Sequence, residues 1–433
     1  MTRGQLRVAA RRILRKGLAA VEPGRLVRAH IRVEGDGVRV AGVRIKATHR
    51  VFVVSVGKAA APMARAAHAI LGRRITAGIL IAPRRSGSGS KSGSRPLPRT
   101  KTFVAGHPIP DAAGLLAGRQ VMRLLEPLAA SDVVLLLLSG GASSLMPAPI
   151  DGVSLADKQR VTRLLLSHGA SIAETNAVRK RLSRLKGGGF ARLAAPARVI
   201  TLALSDVPGD DIRTIGSGPT VDDPGVATRA RRSLLRLLSA GEIPEAVRSA
   251  IARPKTAAPR IKGHKAIVIG SGRVFARAAA REARALGLRT VCLPDGLRGE
   301  ARVCGPALVR RFVAWRGRQP GCLLVTGETV VTVVGAGFGG RNQEVALSAV
   351  PALARLGRPA VMATCATDGV DGRSEASGGL VDDRTERRAR LKGLSIPKAL
   401  GRNDSTAALR RLGGLLATGP TGTNVADITV ILG

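Results

Sequence analysis

From residue 51 onward, short apolar runs alternate with longer Ala-, Arg- and Leu-rich stretches whose apolar positions recur at helical spacing. That alternation predicts βαβ units and a largely parallel sheet, because a strand covered by helices on both faces reads as an unbroken apolar run. Strands are predicted over residues 51–56, 78–82, 133–138 and 199–204, with a helix over 59–71 after the first. Upstream, Ile13, Leu14, Leu18 and Val21 fall at helical spacing and Pro23-Gly24 marks an end, so an amphipathic surface helix is expected there. Six basic residues from Arg3 to Lys16, ahead of the first acid at Glu22, leave a transit peptide as the alternative.

The pattern lapses around residues 252–265 (ARPKTAAPRIKGHK) and then resumes, which predicts a domain boundary and divides the chain into residues 1–258 and 259–433. The second part reads as a strand over 266–269, a helix over 274–286, a strand over 290–293, a long helix to about residue 316, and strands over 323–325 and 360–365. Residues 329–334 read as the return arm of a hairpin, so this second sheet is expected to be mixed. The fold class is α/β: an N-terminal doubly wound, largely parallel sheet domain, then a C-terminal α/β domain. Residues 86–94 (SGSGSKSGS) are of low complexity and are expected to form a mobile loop.

Composition changes this picture little. With 433 residues, 45% hydrophobic and 23% charged, the chain is long enough for two or three domains and too apolar for wholesale disorder. Six Phe, one Trp and no Tyr leave the core to Val, Leu, Ile and Ala. The net charge of +41 predicts nonspecific attraction to polyanions, but Lys supplies only 13 of the 70 basic residues, a bias that a GC-rich genome produces as readily as an anionic partner does. Cys292, Cys304, Cys322 and Cys365 lack the spacing of a zinc site and read as reduced thiols in a cytoplasmic compartment; no stretch is long enough to span a bilayer.

Open α/β sheets present backbone N–H groups at the carboxyl ends of their strands, so the chemistry is sought there. In SVGKAA (55–60), Lys58 follows a strand and Gly57 and sits at a helix start, where a cation is unfavourable unless an anion joins it; the plain alternative is a lysine reaching solvent. SGGASS (139–144) follows a fully apolar strand and offers an anion cradle, against the alternative of a tight glycine turn; it is not a P-loop. SDVPGDD (205–211) presents Asp206, Asp210 and Asp211, and TDGVDG (367–372) presents Asp368 and Asp371, as metal ligands or base in an acid-poor chain; Asp, Pro and Gly equally make turns. Arg341 in GGRNQE (339–344) opens a helix with a planar fork suited to phosphate or carboxylate, or is one more surface arginine. Gly335, Gly337 and Gly340 fit a dinucleotide spacing without the βαβ context, and Gly270 and Gly272 have that context but Phe275 at the third glycine position.

Together with GHPIPD (106–111), LLSGGASSLMPAP (137–149), ETNAVRKRLSRLKGG (174–188), IGSGPTVDDP (215–224), TGETVVTV, ATDGVDG and TGPTGTNVADI (418–428), these segments resemble the glycerate 2-kinases, the class II glycerate kinases whose C-terminal part is the MOFRL domain. The resemblance spans nearly the whole chain. It implies ATP- and Mg²⁺-dependent phosphorylation of D-glycerate at the 2-hydroxyl, giving 2-phosphoglycerate, in a cleft between an N-terminal α/β domain and the MOFRL domain. By position, Lys58 and Arg341 match the family's proposed active-site lysine and arginine. The resemblance further assigns Ser139, Gly140, Gly141, Ser143, Asn176 and Arg179 to substrate or phosphate binding, Asp206 to base or metal, and Asp368 to metal. The chain departs from the family at SGGASS, where SGGGSA is usual, at NDST (403–406), and in the SGSGSKSGS insert.

Two rival functions stand beside the kinase. An NAD(P)H-dependent hydroxypyruvate reductase, a name family members have carried, is opposed by the defective glycine patterns. A nucleic-acid-binding protein is opposed by the spread of arginine along the chain and the scarcity of stacking aromatics, so no specific nucleic acid and no membrane is expected as partner.

Overall fold

The computed structural model describes residues 1–84, 96–239, 241–253, 263–316 and 319–433. The expected loop at 86–94 lies outside the described residues. The chain forms two compact units: residues 23–204 and 210–269 make the N-terminal unit, and residues 1–22, 205–209 and 270–433 the C-terminal one.

The N-terminal unit opens with a three-stranded antiparallel meander, β1 (Ile31–Glu34), β2 (Gly37–Val40) and β3 (Val43–Ile45). Its main sheet contains β4 (Val51–Val56), β5 (Ile75–Pro83), β6 (Thr100–Ala105), β7 (Val133–Leu138), β8 (Arg198–Leu204) and β9 (Lys265–Gly270) in the order β6-β5-β4-β7-β8-β9. Ladders β4–β5, β4–β7, β5–β6 and β7–β8 are parallel. Every residue of β4 and of β7 is buried, as both-faced cover by helices requires. Counted from β4, the order is 3-2-1-4-5-6, so chain direction across the sheet reverses between β4 and β7. A second apolar cluster lies among helices Leu155–Ser167, Ile172–Arg181, Val226–Leu237 and Glu245–Ala252, built from Val161, Leu165, Val178, Leu182, Leu234 and Val247.

The C-terminal unit holds β10 (Arg289–Leu297), β11 (Gly321–Gly327), β12 (Val361–Ala366), β13 (Gly378–Asp382), β14 (Leu415–Leu416) and β15 (Asp427–Leu432), ordered β10-β11-β15-β12-β13-β14. The sheet is mixed, as expected, but for another reason. Residues 329–334 form no strand, only a bridge from Val330 to Glu300; the antiparallel component comes from β15, which threads between β11 and β12, and from β13 and β14. Phe312, Leu323, Val345, Leu347 and Leu409 belong to its core.

The linear division at residue 258 differs from these units in two ways. Strand 266–269, expected to open the second domain, is the edge strand β9 of the first sheet. Helix Arg3–Ala20 comes first in the chain yet belongs to the C-terminal unit, where it packs on helix Gly272–Ala285 and on β12 and β15. Its buried face is Leu6, Ala9, Ala10, Ile13, Leu14 and Gly17; a Cβ on Gly17 would stand 2.4 Å from the Phe275 ring. Arg3 and Arg7 are ion-paired with Asp383 and Asp382 at 2.6 Å each. Helix Pro23–His30 then starts at the proline expected to end the first helix.

Candidate active site

In the N-terminal unit the candidate residues gather where β4 and β7 end. Gly57 has φ +125°, and a Cβ there would lie 2.2 Å from Ser139 Oγ and 2.5 Å from Ser139 O, so only glycine lets the two loops approach. The loops are then stitched together: Lys58 N–H donates to Gly140 O at 2.9 Å, Ala59 N–H to Ser139 Oγ at 3.0 Å, and Ser139 N–H to Val56 O at 3.0 Å. Ser139 was expected to bind substrate or phosphate. Its side chain is instead fully buried, with its hydroxyl between Val56 O and Ala59 N–H, so what it does is position the Lys58 loop. Lys58 sits two residues ahead of helix Ala60–Leu71.

Gly140 and Gly141 turn the chain from β7 into the short helix Ala142–Leu145, with Gly141 at φ +84° beneath the His107 imidazole. Among the described residues, the N–H groups of Gly140, Gly141 and Ser143 have no hydrogen-bond acceptor, which leaves three donors at the end of a parallel strand. Ser143 Oγ is 2.9 Å from Ser217 Oγ, and Ser217, a non-glycine residue at φ +64°, reaches Asn176 Oδ1 at 3.5 Å. Asn176 and Arg179 share a face of helix Ile172–Arg181. The structure therefore brings Lys58, Gly140, Gly141, Ser143 and Asn176 into one connected set of loops.

In the C-terminal unit, Arg341 is the first residue of helix Arg341–Ala354. It is no ordinary surface arginine. Its guanidinium is ion-paired with Glu328 just past β11 and with Asp427 at the start of β15, the latter at 2.5 Å through Nε and 3.1 Å through Nη2. Burial works against the guanidinium charge, but Asp427 and Glu328 outweigh it and raise the arginine's pKa. Burial pushes the Asp427 carboxyl up to about 7, against the pull of Arg341. The Asp206 carboxylate accepts from Asn424 Nδ2 at 2.8 Å, and the Thr421 N–H of the same loop donates to the Asp368 main-chain carbonyl at 3.4 Å, so both residues border residues 418–426.

Asp371 is not an open ligand as TDGVDG suggested. It is buried and accepts the N–H groups of Asn342 and Gln343 at 3.1 and 2.8 Å, capping the helix that Arg341 opens; burial raises its pKa. Asp211 is turned onto Arg213. The dinucleotide-like spacing also finds a packing explanation: a Cβ on Gly335 or Gly337 would meet Arg402 O at 2.4 and 2.5 Å, while Asn403 Oδ1 accepts from Val334 and Gly335 N–H. Glu328 and Asp427 lay inside the motifs TGETVVTV and TGPTGTNVADI without being singled out; acids at strand ends in an acid-poor chain were the available signal. Among the described residues, no group of three His, Cys, Asp or Glu is placed to hold a metal. All four cysteines are reduced, and no described helix is long and apolar enough to cross a membrane.

Comparison with known proteins gives these features a family. Residues 9–252 match the family described as a domain of unknown function, DUF4147, and residues 321–427 match the MOFRL family. A glycerate 2-kinase of Pyrococcus horikoshii is 37% identical, covering 97% of this chain and 96% of its own. A D-glycerate 2-kinase of Thermotoga maritima is 39% identical over 88% of this chain and 90% of its own, and an Agrobacterium vitis relative, 38% identical over 88% and 99%, carries the provisional name hydroxypyruvate reductase. The crystal structure of a Thermotoga maritima glycerate kinase superposes with a TM-score of 0.86 at 36% identity, over 99% of each chain. The chain belongs to the glycerate 2-kinase family, with a C-terminal MOFRL domain.

Proposed function

We propose that this protein transfers the terminal phosphoryl group of ATP to the 2-hydroxyl of D-glycerate, releasing ADP and 2-phosphoglycerate. The observation that carries the reading is near full-length similarity to proteins named glycerate kinases. The 3-2-1-4-5-6 strand order is Rossmann-like, and ligands of such sheets sit where the order reverses, between the strands that carry Lys58 and the 139–144 loop.

Phosphoryl transfer needs cations on the transferring group and an aligned nucleophile more than it needs covalent chemistry. Lys58 and Arg341 are assigned to that charge. Glu328 and Asp427 hold the Arg341 fork in one orientation, so little reorganisation is left for the reaction itself. The N–H groups of Gly140, Gly141 and Ser143, with the side chains of Ser143, Asn176 and Arg179, are assigned to the anionic groups of the substrates. Asp206 is assigned to accept the hydroxyl proton.

Mg²⁺ fits the carboxylates present. Asp206 and Asp368 are half-buried hard-oxygen donors; Asp206 accepts from Asn424 Nδ2, and Asp368 accepts from Val370 N–H at 3.1 Å. Mg²⁺ in nucleotide sites takes one or two carboxylates and completes its shell with phosphate and water. Asp368 would hold it, joined by Asp206 as the alternative to its role as base, and the bound ion would neutralise charge on the phosphates.

Phosphorus NMR of the reaction of D-glycerate with MgATP, with no nicotinamide present, tests the function and identifies the isomer. A 2-phosphoglycerate resonance is expected. Formation of 3-phosphoglycerate alone, or NADH oxidation with hydroxypyruvate at a comparable rate, would sink the proposal; the second outcome would favour the reductase name.

A further inference from the structure

Lys158, Lys186 and Arg179 are a cluster of buried and half-buried cations in the N-terminal unit with no carboxylate partner among the described residues. Lys158 donates to Leu182 O at 2.8 Å and Lys186 to Met146 O at 3.2 Å, both more than nine-tenths buried, and Arg179 has neither hydrogen-bond nor ion-pair partner among the described residues. Neighbouring cations do have carboxylate partners: Lys180 and Arg229 in Asp223, and Arg192 in Asp222. The three of the cluster also repel one another. Burial and then Arg179 push the Lys186 ammonium down to about 7, and burial, Lys186 and Arg179 push Lys158 well below the usual lysine range.

The cluster borders the loop already described. Met146 ends the helix that follows Gly141, and Arg179 shares a helix face with Asn176, whose contact with Ser217 leads to Ser143. An ammonium has three donors and Lys186 uses one. Burial without a counter-charge disfavours the protonated form of both lysines, and a multiply charged anion would supply the counter-charge that lets the three groups carry charge together.

We propose that Lys186, Arg179 and Lys158 form the binding site for a multiply charged phosphate anion, and that this anion is the polyphosphate of the nucleotide donor. The proposal deepens the kinase reading and rests on it for the identity of the anion. Lys186 is the residue newly assigned to substrate.

Calorimetry of metal-free ATP binding to the full chain at pH 8.5, in two buffers of different ionisation enthalpy, tests it. ATP is fully deprotonated there, so the phosphate must recharge Lys186 and Lys158, and about one to two protons should be taken up per ATP. Lys186→Met should remove about one proton of that uptake, and Lys186→Met and Arg179→Met should each weaken ATP by at least about tenfold, with the KM for D-glycerate staying within about twofold in Lys186→Met. Lys186→Arg should restore affinity without restoring proton uptake. Absence of proton uptake by the wild type overturns the proposal, and needs no variant that might be misfolded. Unchanged ATP affinity in both folded variants overturns it too, as does a loss confined to D-glycerate or to 2-phosphoglycerate. A protein that binds ATP in this way but leaves glycerate unphosphorylated would retain the site and lose the kinase reading; an active kinase indifferent to both residues would do the reverse.

Discussion

At Gly57 and Arg341 single atoms decide the outcome. Gly57→Ala forces a Cβ into the Ser139 backbone at a φ that alanine resists, and is expected to cost about 2–4 kcal/mol and to displace Lys58, lowering both the melting temperature and kcat. Arg341→Lys keeps a charge but loses the fork that spans Glu328 and Asp427, and kcat should fall about 10²-fold by steady-state assay. A solvated arginine could be truncated at little cost in stability, but Arg341→Ala strands a fully buried Asp427. We expect a loss of about 1–3 kcal/mol, held below that of a fully buried pair because a third of the guanidinium is exposed. Lys58 and Arg341 were legible as residues from their motifs. The ion pairs that define what Arg341 does were not, since its partners lie 13 and 86 positions away.

Among elements, the N-terminal helix carries the sharpest expectation. Deleting residues 1–20 should unfold or loosen the C-terminal unit, not the N-terminal one that follows it in sequence, because the helix buries Ile13, Leu14 and Gly17 where it packs on helix Gly272–Ala285, β12 and β15, and Asp382 would lose Arg7. Hydrogen exchange resolved by segment should show lost protection in residues 270–285 and 361–366; loss confined to residues 51–138 would contradict the packing. Helical periodicity located this helix from sequence, but an amphipathic stripe is equally satisfied by any apolar surface, so it could not name the partner. The same limit applies to strand 266–269, whose apolar pattern fits the edge of either sheet.

For the whole molecule, the buried lysines set a pH dependence. A lysine whose folded pKa lies below its unfolded value contributes stability that is present above about pH 10 and is lost as pH falls toward about 7 for Lys186. Without anions, the free energy of unfolding should therefore fall across that window by on the order of a few kcal/mol, read as a lower melting temperature, and the fall should shrink in Lys186→Met or with added ATP. The +41 charge predicts a different salt effect: DNA binding that is weak, indifferent to sequence and lost by physiological salt, read by titrating labelled duplexes. Sequence-selective binding surviving that salt would place the main function elsewhere.

The sequence by itself determined the α/β class, the strands 51–56, 133–138 and 199–204 to within a residue, and the loops where chemistry collects. It could do so because unbroken apolar runs, helical periodicity and glycine turns are local consequences of burial and backbone sterics. Tertiary structure alone decided that the Ser139 hydroxyl holds the Lys58 loop, that Asp371 caps a helix, and that Lys158, Arg179 and Lys186 cluster with no carboxylate partner among the described residues. It decided Asp427 most clearly. Because β15 runs antiparallel between β11 and β12, its first residue lies opposite Gly327 and Ala366, the last residues of those strands, and so a carboxylate near the end of the chain reaches Arg341. Strand order depends on which distant surfaces bury each other, and no local pattern records it.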